Sequence, residues 1–438
     1  MLTAIKNTAK QFLEKTENRT IQIISHHDTD GITSAAILIK TLQRLNKKFS
    51  VKIVKQLEEK IIKEISQESV VIFLDLASNS FNYIKNLKNP VFILDHHEIT
   101  SEIPENISII NPHLFGREEI SASAITYLFA KALNEENTDL AHLAVIGIVG
   151  DLMEKNLGKT GTLILNDSKI IIKKGLTLYP ATRPIDKVLE YNSEIYIPGV
   201  TGSFYGTANF LQDIGIEKTC GQYKSIIELN EQETSKLITN IALQNTVSCD
   251  IHNLIGNIYL TNFFNKLEDV RQISAIINAC SRLGESGIAL AYCLQSKKAK
   301  ERVEKVYTAY KREIVNSLNS LPELNKIEEK NYLIINAQDK IKDTLIGTIA
   351  SIISNSKKYE EGKAIIAMAY NEDKIKVSAR MVGKSGKNVR ELLNSVVEII
   401  GGEVGGHQAA AGCLIERSKE NEFLENLKKK LNIELVKL

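Results

Sequence analysis

Val91-Phe92-Ile93-Leu94-Asp95-His96-His97-Glu98 decides the fold: a short apolar run gives out into an aspartate and two adjacent histidines. Three other acidic stretches share the pattern, Ser25-His26-His27-Asp28-Thr29-Asp30-Gly31, Leu74-Asp75-Leu76 and Gly150-Asp151-Leu152. The first two follow apolar runs of their own, Ile21-Gln22-Ile23-Ile24 and Val70-Val71-Ile72-Phe73-Leu74, and the third follows a strongly apolar helix over about 140–149. Short continuous apolar strands separated by helices predict a buried parallel sheet. Polar motifs at the strand ends fit the rule that open α/β sheets bind ligands beyond the carboxyl ends of their strands.

Working outward, residues 2–15 have helical spacing and predict a lid helix, and the small residues after Gly31 predict a helix packed closely on the sheet. Val51–Val54 and Ile107–Ile110 read as further strands, 58–66 and 121–131 as helices. The stretch 160–285 mixes helices (184–190, 208–214, 231–244) with short strands around 251–260, and carries no chemistry of its own. One long helix is expected over 286–318, its excess of Lys and Arg reading as a solvated face. The last hundred residues alternate strands and helices around a glycine loop. The expected fold class is α/β: a catalytic domain over 1–190, a mixed middle region over 191–285, a connecting helix and linker over 286–330, and a smaller C-terminal α/β domain over 331–438.

Composition narrows the class. The chain of 438 residues is long enough for two or three domains. Lys+Arg 55 against Asp+Glu 53 leaves it nearly neutral, so any nucleic-acid footprint must be local. Cys220, Cys249, Cys280, Cys293 and Cys413 are odd in number and widely spaced, which argues against a disulfide framework or a zinc knuckle. No apolar run reaches the roughly 18 to 20 residues of a membrane helix, and Lys6, Lys10, Glu14 and Lys15 break up any signal-peptide core. A cytoplasmic protein without membrane association is expected.

The four acidic motifs carry the chemistry. Alternate side chains of an extended backbone point one way, so His26, Asp28 and Asp30 can meet at one point. Either His26 or His27 could be the ligand, with spacing favouring His26. Mixed imidazole and carboxylate donors without cysteine suit Mn²⁺, with Mg²⁺ or Zn²⁺ as alternatives. Asp75 would bridge two ions, and His96 and Asp151 would complete the second. Two cations about 3.5–4 Å apart can activate water and clamp a phosphodiester. Taken singly, Asp30-Gly31 reads as a turn, and Asp75 or Asp151 as a helix cap. Four such motifs in order read as a site.

These residues resemble the motifs of the DHH phosphoesterase superfamily, named for Asp95-His96-His97, and within it the archaeal RecJ-like single-strand exonucleases. Gly405-Gly406-His407-Gln408-Ala409-Ala410-Ala411-Gly412 resembles the GGHxxAAG signature of the DHH-associated C-terminal domain, and Asn278-Ala279-Cys280-Ser281-Arg282-Leu283-Gly284 a RecJ segment. The resemblance implies that His26, Asp28 and Asp75 hold one metal, and Asp30, Asp75, His96 and Asp151 the other. His97 would face the scissile phosphate, and Asp95 would orient a histidine from behind. Bacterial members often carry Asp where this chain has His26.

Between Lys374 and Arg390 lie six basic residues (Lys374, Lys376, Arg380, Lys384, Lys387, Arg390) and no acidic one. The resemblance assigns Ser378 and Arg380 to substrate phosphate. Gly405 and Gly406 would let backbone N–H groups approach, and His407 would add a donor. A solvated basic hairpin with a structural glycine turn is the alternative. Gly383-Lys384-Ser385 lacks the spacing of a nucleotide triphosphatase loop. Phe115, Tyr205 and Phe210 are the candidates for base stacking. The expected activity is two-metal hydrolysis of single-stranded DNA or RNA in replication or repair, with the C-terminal domain folding over the metals. Single-stranded nucleic acid is the expected partner, together with GINS or a repair helicase. Rival readings are a small-substrate enzyme of the same superfamily, acting on oligonucleotides, cyclic dinucleotides or pyrophosphate, and a replisome scaffold of the same fold.

Overall fold

A computed structural model describes residues 1–99, 101–116, 118–191, 197–244, 255–356, 358–383 and 385–432. Lys384, Cys249 and the start of the strand expected over 251–260 lie outside them. Two compact units emerge. The first comprises Met1–Val188, Lys218–Ser235 and the described residues of 251–307, the second the described residues of 189–217, 236–250 and 308–438.

The first unit opens with α1 (Leu2–Lys15), β1 (Ile21–His26), α2 (Thr29–Arg44), β2 (Phe49–Val54), α3 (Glu59–Lys63), β3 (Val70–Leu74), α4 (Phe81–Ile84), β4 (Val91–Leu94) and β5 (Ile107–Ile110). The five strands form one parallel sheet in the order β2-β1-β3-β4-β5. Every residue of β3 and β4 is buried, as the continuous apolar runs require. Ile72 and Leu74 face one core, with Phe92, Leu94 and α2, while Val71 and Phe73 face the other, with Phe81 and Ile93. The strand order reverses between β1 and β3, which is where such sheets open a crevice.

Three elements then cover the first face: α5 (Ala122–Leu133), α6 (Ala141–Gly150) and α7 (Lys159–Asp167). α1 belongs to the same layer and is not a lid. Its Phe12 is fully buried and meets the rings of Phe92 and Phe129 edge-on at 5.2 and 5.4 Å. A small antiparallel sheet follows, built from β6 (Ile171–Leu176) and, beyond α8 (Ile185–Glu190), α9 (Phe204–Asp213) and α10 (Glu231–Gln244), from β7 (Ile255–Phe263) and β8 (Lys266–Asp269). α11 (Val270–Arg282) then returns to the main core through Ile273, Ile277 and Cys280.

The single helix expected over 286–318 is two, α12 (Ser286–Cys293) and α13 (Lys297–Ser320). Between them Gln295 takes φ +58°, and the N–H groups of Gln295 and Ser296 bond back to Tyr292 and Ala291. That is a left-handed helix ending, usually marked by glycine; here it has no glycine to announce it.

The C-terminal part of the second unit contains β9 (Asn325–Glu328), β10 (Tyr332–Asn336), α14 (Asp343–Ser354), β11 (Ala364–Asn371), β12 (Lys374–Met381), α15 (Val389–Ile400), β13 (Glu403–Gly406), β14 (Ala410–Glu416) and α16 (Glu420–Asn432). Its mixed sheet runs β13-β14-β12-β11-β10-β9, with β10 and β11 parallel and the other pairs antiparallel. Ile366, Met368, Val377, Val396 and Phe423 fill its core.

Candidate metal centre

Each acidic motif is placed by a different local device. β1 ends at His26, and Asp28 caps α2 by accepting the Gly31 N–H at 3.0 Å. Asp30 lies in the first helical turn, so an alternating extended loop is not what brings His26, Asp28 and Asp30 together. A strand end, a cap and a first turn do. Asp75 follows β3 at φ +59° and Ala77 at φ +91°, left-handed backbone that side chains resist and that tertiary structure must hold. Asp151 is the residue on which α6 ends, and Leu152 beyond it takes φ +59°. Capping and convergence are therefore not alternatives here: Asp28 does both.

His26 Nδ1 stands 3.0 Å from Asp28 Oδ2 and 3.2 Å from Asp75 Oδ2. His96 Nε2 stands 3.3 Å from Asp75 Oδ1, 3.3 Å from Asp151 Oδ2 and 4.0 Å from Asp30 Oδ2. Three sets of donor atoms are each close enough to share an ion: His26, Asp28 and Asp75; Asp30, His96 and Asp151; and Asp75, His96 and His97. Asp75 offers one oxygen to each imidazole, as a bridging position requires. Among the described residues His27 joins none of these sets, which separates the tandem histidines.

The electrostatics are those of a site short of positive charge. Burial, then Asp28 and Asp30, push the Asp75 carboxyl up to about 6. Burial, then Asp30, Asp28 and Asp75, raise Asp151 well above the usual carboxylate range, and burial raises Asp30. Burial opposes protonation of His96, yet Asp75, Asp30 and Asp151 together raise it to about 10. His26 is likewise held protonated, burial being outweighed by Asp28 and Asp75, and against the same burial His26 holds Asp28 low. Protons thus sit where cations would relieve crowded carboxylates. Asp75 Oδ1 is buried and accepts no hydrogen bond, an orphan acceptor amid oxygen and nitrogen donors. This donor set fits divalent cations.

Supporting residues complete the centre. The Asp95 carboxylate is buried and accepts the N–H of Ser78 at 2.9 Å and of His96 at 2.8 Å, and His97 Nδ1 lies 2.8 Å from it. Burial notwithstanding, His97 and these bonds hold Asp95 below the usual range. The histidine that Asp95 orients is therefore His97. Asn111 Nδ2 donates to the His97 carbonyl at 2.8 Å and to Ser78 Oγ at 3.0 Å. Asp30 accepts the N–H groups of Ala122 and Ser123 at 2.6 and 3.0 Å, seated on the amino end of α5. Ser78, Asn111 and Ser121–Ser123 were not singled out from the sequence; a serine cap before α5 was the one legible sign. His27 is pushed down to about 4 by burial and by His26, with Lys55 and Arg282 acting the same way.

The five residues expected to hold substrate lie in the second unit. Ser378 and Arg380 share a face of β12, and Gly405 pairs with Gly412, which pairs with Ser378. The Arg380 guanidinium is anchored: Nε donates to Ser351 Oγ at 2.9 Å and one terminal nitrogen to the Ala379 carbonyl at 2.8 Å. A Cβ at Gly347 would come within 3.3 Å of Ser378 Oγ and 3.5 Å of the Arg380 guanidinium, so α14 sits close because that residue is glycine. Gly405 and Gly406 form strand β13, not a free loop, and exposed His407 closes a tight turn onto Ala410. Lys387 is tied to the carbonyls of Lys430 and Leu431, ending α16. Phe115 and Tyr205 are exposed, whereas Phe210 is buried and cannot stack on a base.

Family models match along the chain: the DHH family, N-terminal domain over residues 20–148, the DHH-CID domain over 179–255 and the DHHA1 domain over 329–432. An uncharacterised protein of Methanocaldococcus jannaschii is 31% identical over 448 residues, 97% of each chain. The single-stranded-DNA-specific exonuclease RecJ of Bacillus subtilis is 29% identical over 160 residues, 33% of this chain and 20% of that one. The chain also shares its fold with RecJ in complex with Mn²⁺ from Thermus thermophilus, at 16% identity, TM-score 0.62, covering 98% of this chain and about half, 54%, of that one. CDC45 from Entamoeba histolytica shares it at 14% identity and TM-score 0.66, over 99% of both. No helix among the described residues is long and apolar enough to cross a membrane.

Proposed function

The chain belongs to the DHH superfamily and is RecJ-like, a phosphoesterase by family, and from that premise we propose that it is a single-strand-specific exonuclease acting on DNA, RNA or both. The observation that carries this reading is the pair of donor sets, His26 with Asp28 and Asp30 with His96 and Asp151, joined through Asp75. Two divalent cations fit them, Mn²⁺ before Mg²⁺ on the mixed imidazole and carboxylate donors; the Thermus RecJ is named in complex with each of the two. When bound, they would supply Lewis acidity at a phosphoryl group.

The chain's own residues do the rest. Asp75 holds both halves of the centre to one carboxylate. Asp95 engages Nδ1 of His97 and so leaves Nε2 for a phosphate oxygen. Ser378 and the anchored Arg380 bind a phosphate of the strand, with the Gly405–Gly406 backbone and His407 beside them. Residues 1–190 serve as the catalytic domain and 331–438 as the substrate-binding domain, joined through 191–285 and 286–330. GINS or a repair helicase is the protein partner that the RecJ likeness favours.

A time course on end-labelled single-stranded DNA and RNA with Mn²⁺ or Mg²⁺, beside Asp75→Ala and Arg380→Ala, tests this. A ladder of products that disappears with Asp75→Ala is expected. Cleavage of dinucleotides alone would select the small-substrate reading. Absence of hydrolysis with either metal on every substrate would select the scaffold reading.

A further inference from the structure

Thr29 stands between Asp28 and Asp30, one residue from each donor set, and is 1% exposed. It is also where three distant parts of the first unit meet. Its N–H is the first of the α2 helix, one of the orphan donors that every helix start must place. Asp28 caps Gly31 and leaves that donor alone; Asn278 Oδ1 on α11 takes it, at 3.1 Å across 249 residues of sequence. One helical turn before Asn278, the Ser274 carbonyl accepts the Thr29 hydroxyl at 3.1 Å. From the third side comes Gly150, immediately before Asp151: a Cβ there would lie 2.7 Å from Thr29 Cβ and 2.8 Å from its methyl group.

We propose that Asn278 is a positioning residue for the metal centre. By holding the Thr29 N–H it fixes Asp28 and Asp30 at their spacing, one for each cation, while Gly150 lets Asp151 close on the same point. α11 thus sets cation affinity without contributing a ligand. Thr29 is buried and Asn278 only partly so, and losing the acceptor either displaces the turn, leaves its N–H unpaired, or hands that N–H to a water that does not tie α2 to α11. The inference rests on the two-cation reading above and gives a task to a segment, Asn278–Gly284, that the chemistry of the motifs left without one.

The test is titration of the metal-free full-length protein with Mn²⁺, followed by calorimetry and by loss of the free-ion electron paramagnetic resonance signal. Asn278→Ala is expected to weaken Mn²⁺ binding about 10- to 100-fold, the usual effect of losing a residue behind a ligand. Asn278→Asp, which keeps an oxygen for the same N–H, is expected to recover most of it. Gly150→Ala, which touches no hydrogen bond, is expected to weaken binding similarly by crowding Thr29. Ser274→Ala, which keeps the backbone carbonyl and loses only the long 3.5 Å bond from Ser274 Oγ to the Thr29 hydroxyl, is expected to weaken binding less than Asn278→Ala. Should Asn278→Ala fail to fold, Asn278→Asp against Gly150→Ala carries the comparison. Wild-type Mn²⁺ affinity in folded Asn278→Ala, or in folded Gly150→Ala, overturns the proposal. A wild-type protein that binds no Mn²⁺ overturns the two-cation reading itself, an outcome distinct from both.

Discussion

The metal centre and the Ser378–Arg380 row solve opposite problems with polar groups. In the first unit four carboxylates and three imidazoles converge, one Asp75 oxygen is left without a hydrogen bond, and burial together with like charges raises Asp75 and Asp151 above the usual carboxylate range. In the second unit Arg380 is already committed to Ser351 and two backbone carbonyls, and the row beside it is cleared of side chains by glycine. One region crowds acceptors and charge that the proposed cations would relieve. The other is organised beforehand, its guanidinium held in place, so that the proposed phosphate would meet donors that need not move.

The largest effect should come from Asp75→Ala. It is expected to cut phosphodiesterase activity about a thousandfold, the several kcal/mol that a clamped cation provides, and to abolish the rise in Tm that Mn²⁺ gives the wild type. A variant that keeps its Mn²⁺-dependent Tm would break the contrast. Arg380→Ala should sharpen it: KM for single strands is expected to rise about 10- to 100-fold, as for a lost charged hydrogen bond, with the Mn²⁺-dependent Tm unchanged. Arg380→Lys should not restore it, because a lysine cannot reproduce a planar guanidinium held at several points.

Proton competition gives an intermediate effect. Asp75 is raised to about 6, so the stability it contributes is complete below its ordinary range and lost as pH climbs through about 6. Asp151 and His96 are also raised and act in the same direction, His96 over a window reaching to about 10. Asp28 and Asp95 are lowered and lose their contribution only in stronger acid. Metal-free protein should therefore melt lower at pH 8 than at pH 5, while the Tm gained on adding Mn²⁺ grows over the same interval. A gain that is flat with pH would mean that protons and cations do not share these sites. The smallest effect is expected at Leu152, 73% exposed and left-handed. Leu152→Gly should relieve about 1 kcal/mol of backbone cost and raise Tm by about 2 °C; a fall would show that its side chain covers something.

The parallel sheet was legible because its strands are unbroken apolar runs that stop at acidic residues, Leu74 before Asp75 and Leu94 before Asp95. The C-terminal strands and α15 were legible by alternation and spacing. The break between α12 and α13 was not, since Gln295 adopts a conformation its identity does not advertise. β6 was missed because its partner β7 lies beyond 177–254, and β8 because it is four residues long and turns back from β7 through Phe264 and Asn265, left-handed positions without a glycine. Within the metal centre the charged residues were readable and their supports were not. Asp30 finds its donors 92 and 93 residues away, and nothing local to Ala122 or Ser123 points back to it. His26 and His27 differ by one position in an identical context, and only folding tells them apart.

The bond from Thr29 to Asn278 also dates the centre during synthesis. At about 5–20 residues per second, the ribosome needs about 12–50 s to add the 249 residues between the first acidic turn and its brace. Asp28, Asp30 and Asp75 have all emerged by then, next to a sheet able to form but without the strut that spaces them. On the proposed role of Asn278, full cation loading would be a late event, and a nascent chain halted before α11 should carry every proposed ligand of the site and still lack its grip on the metal.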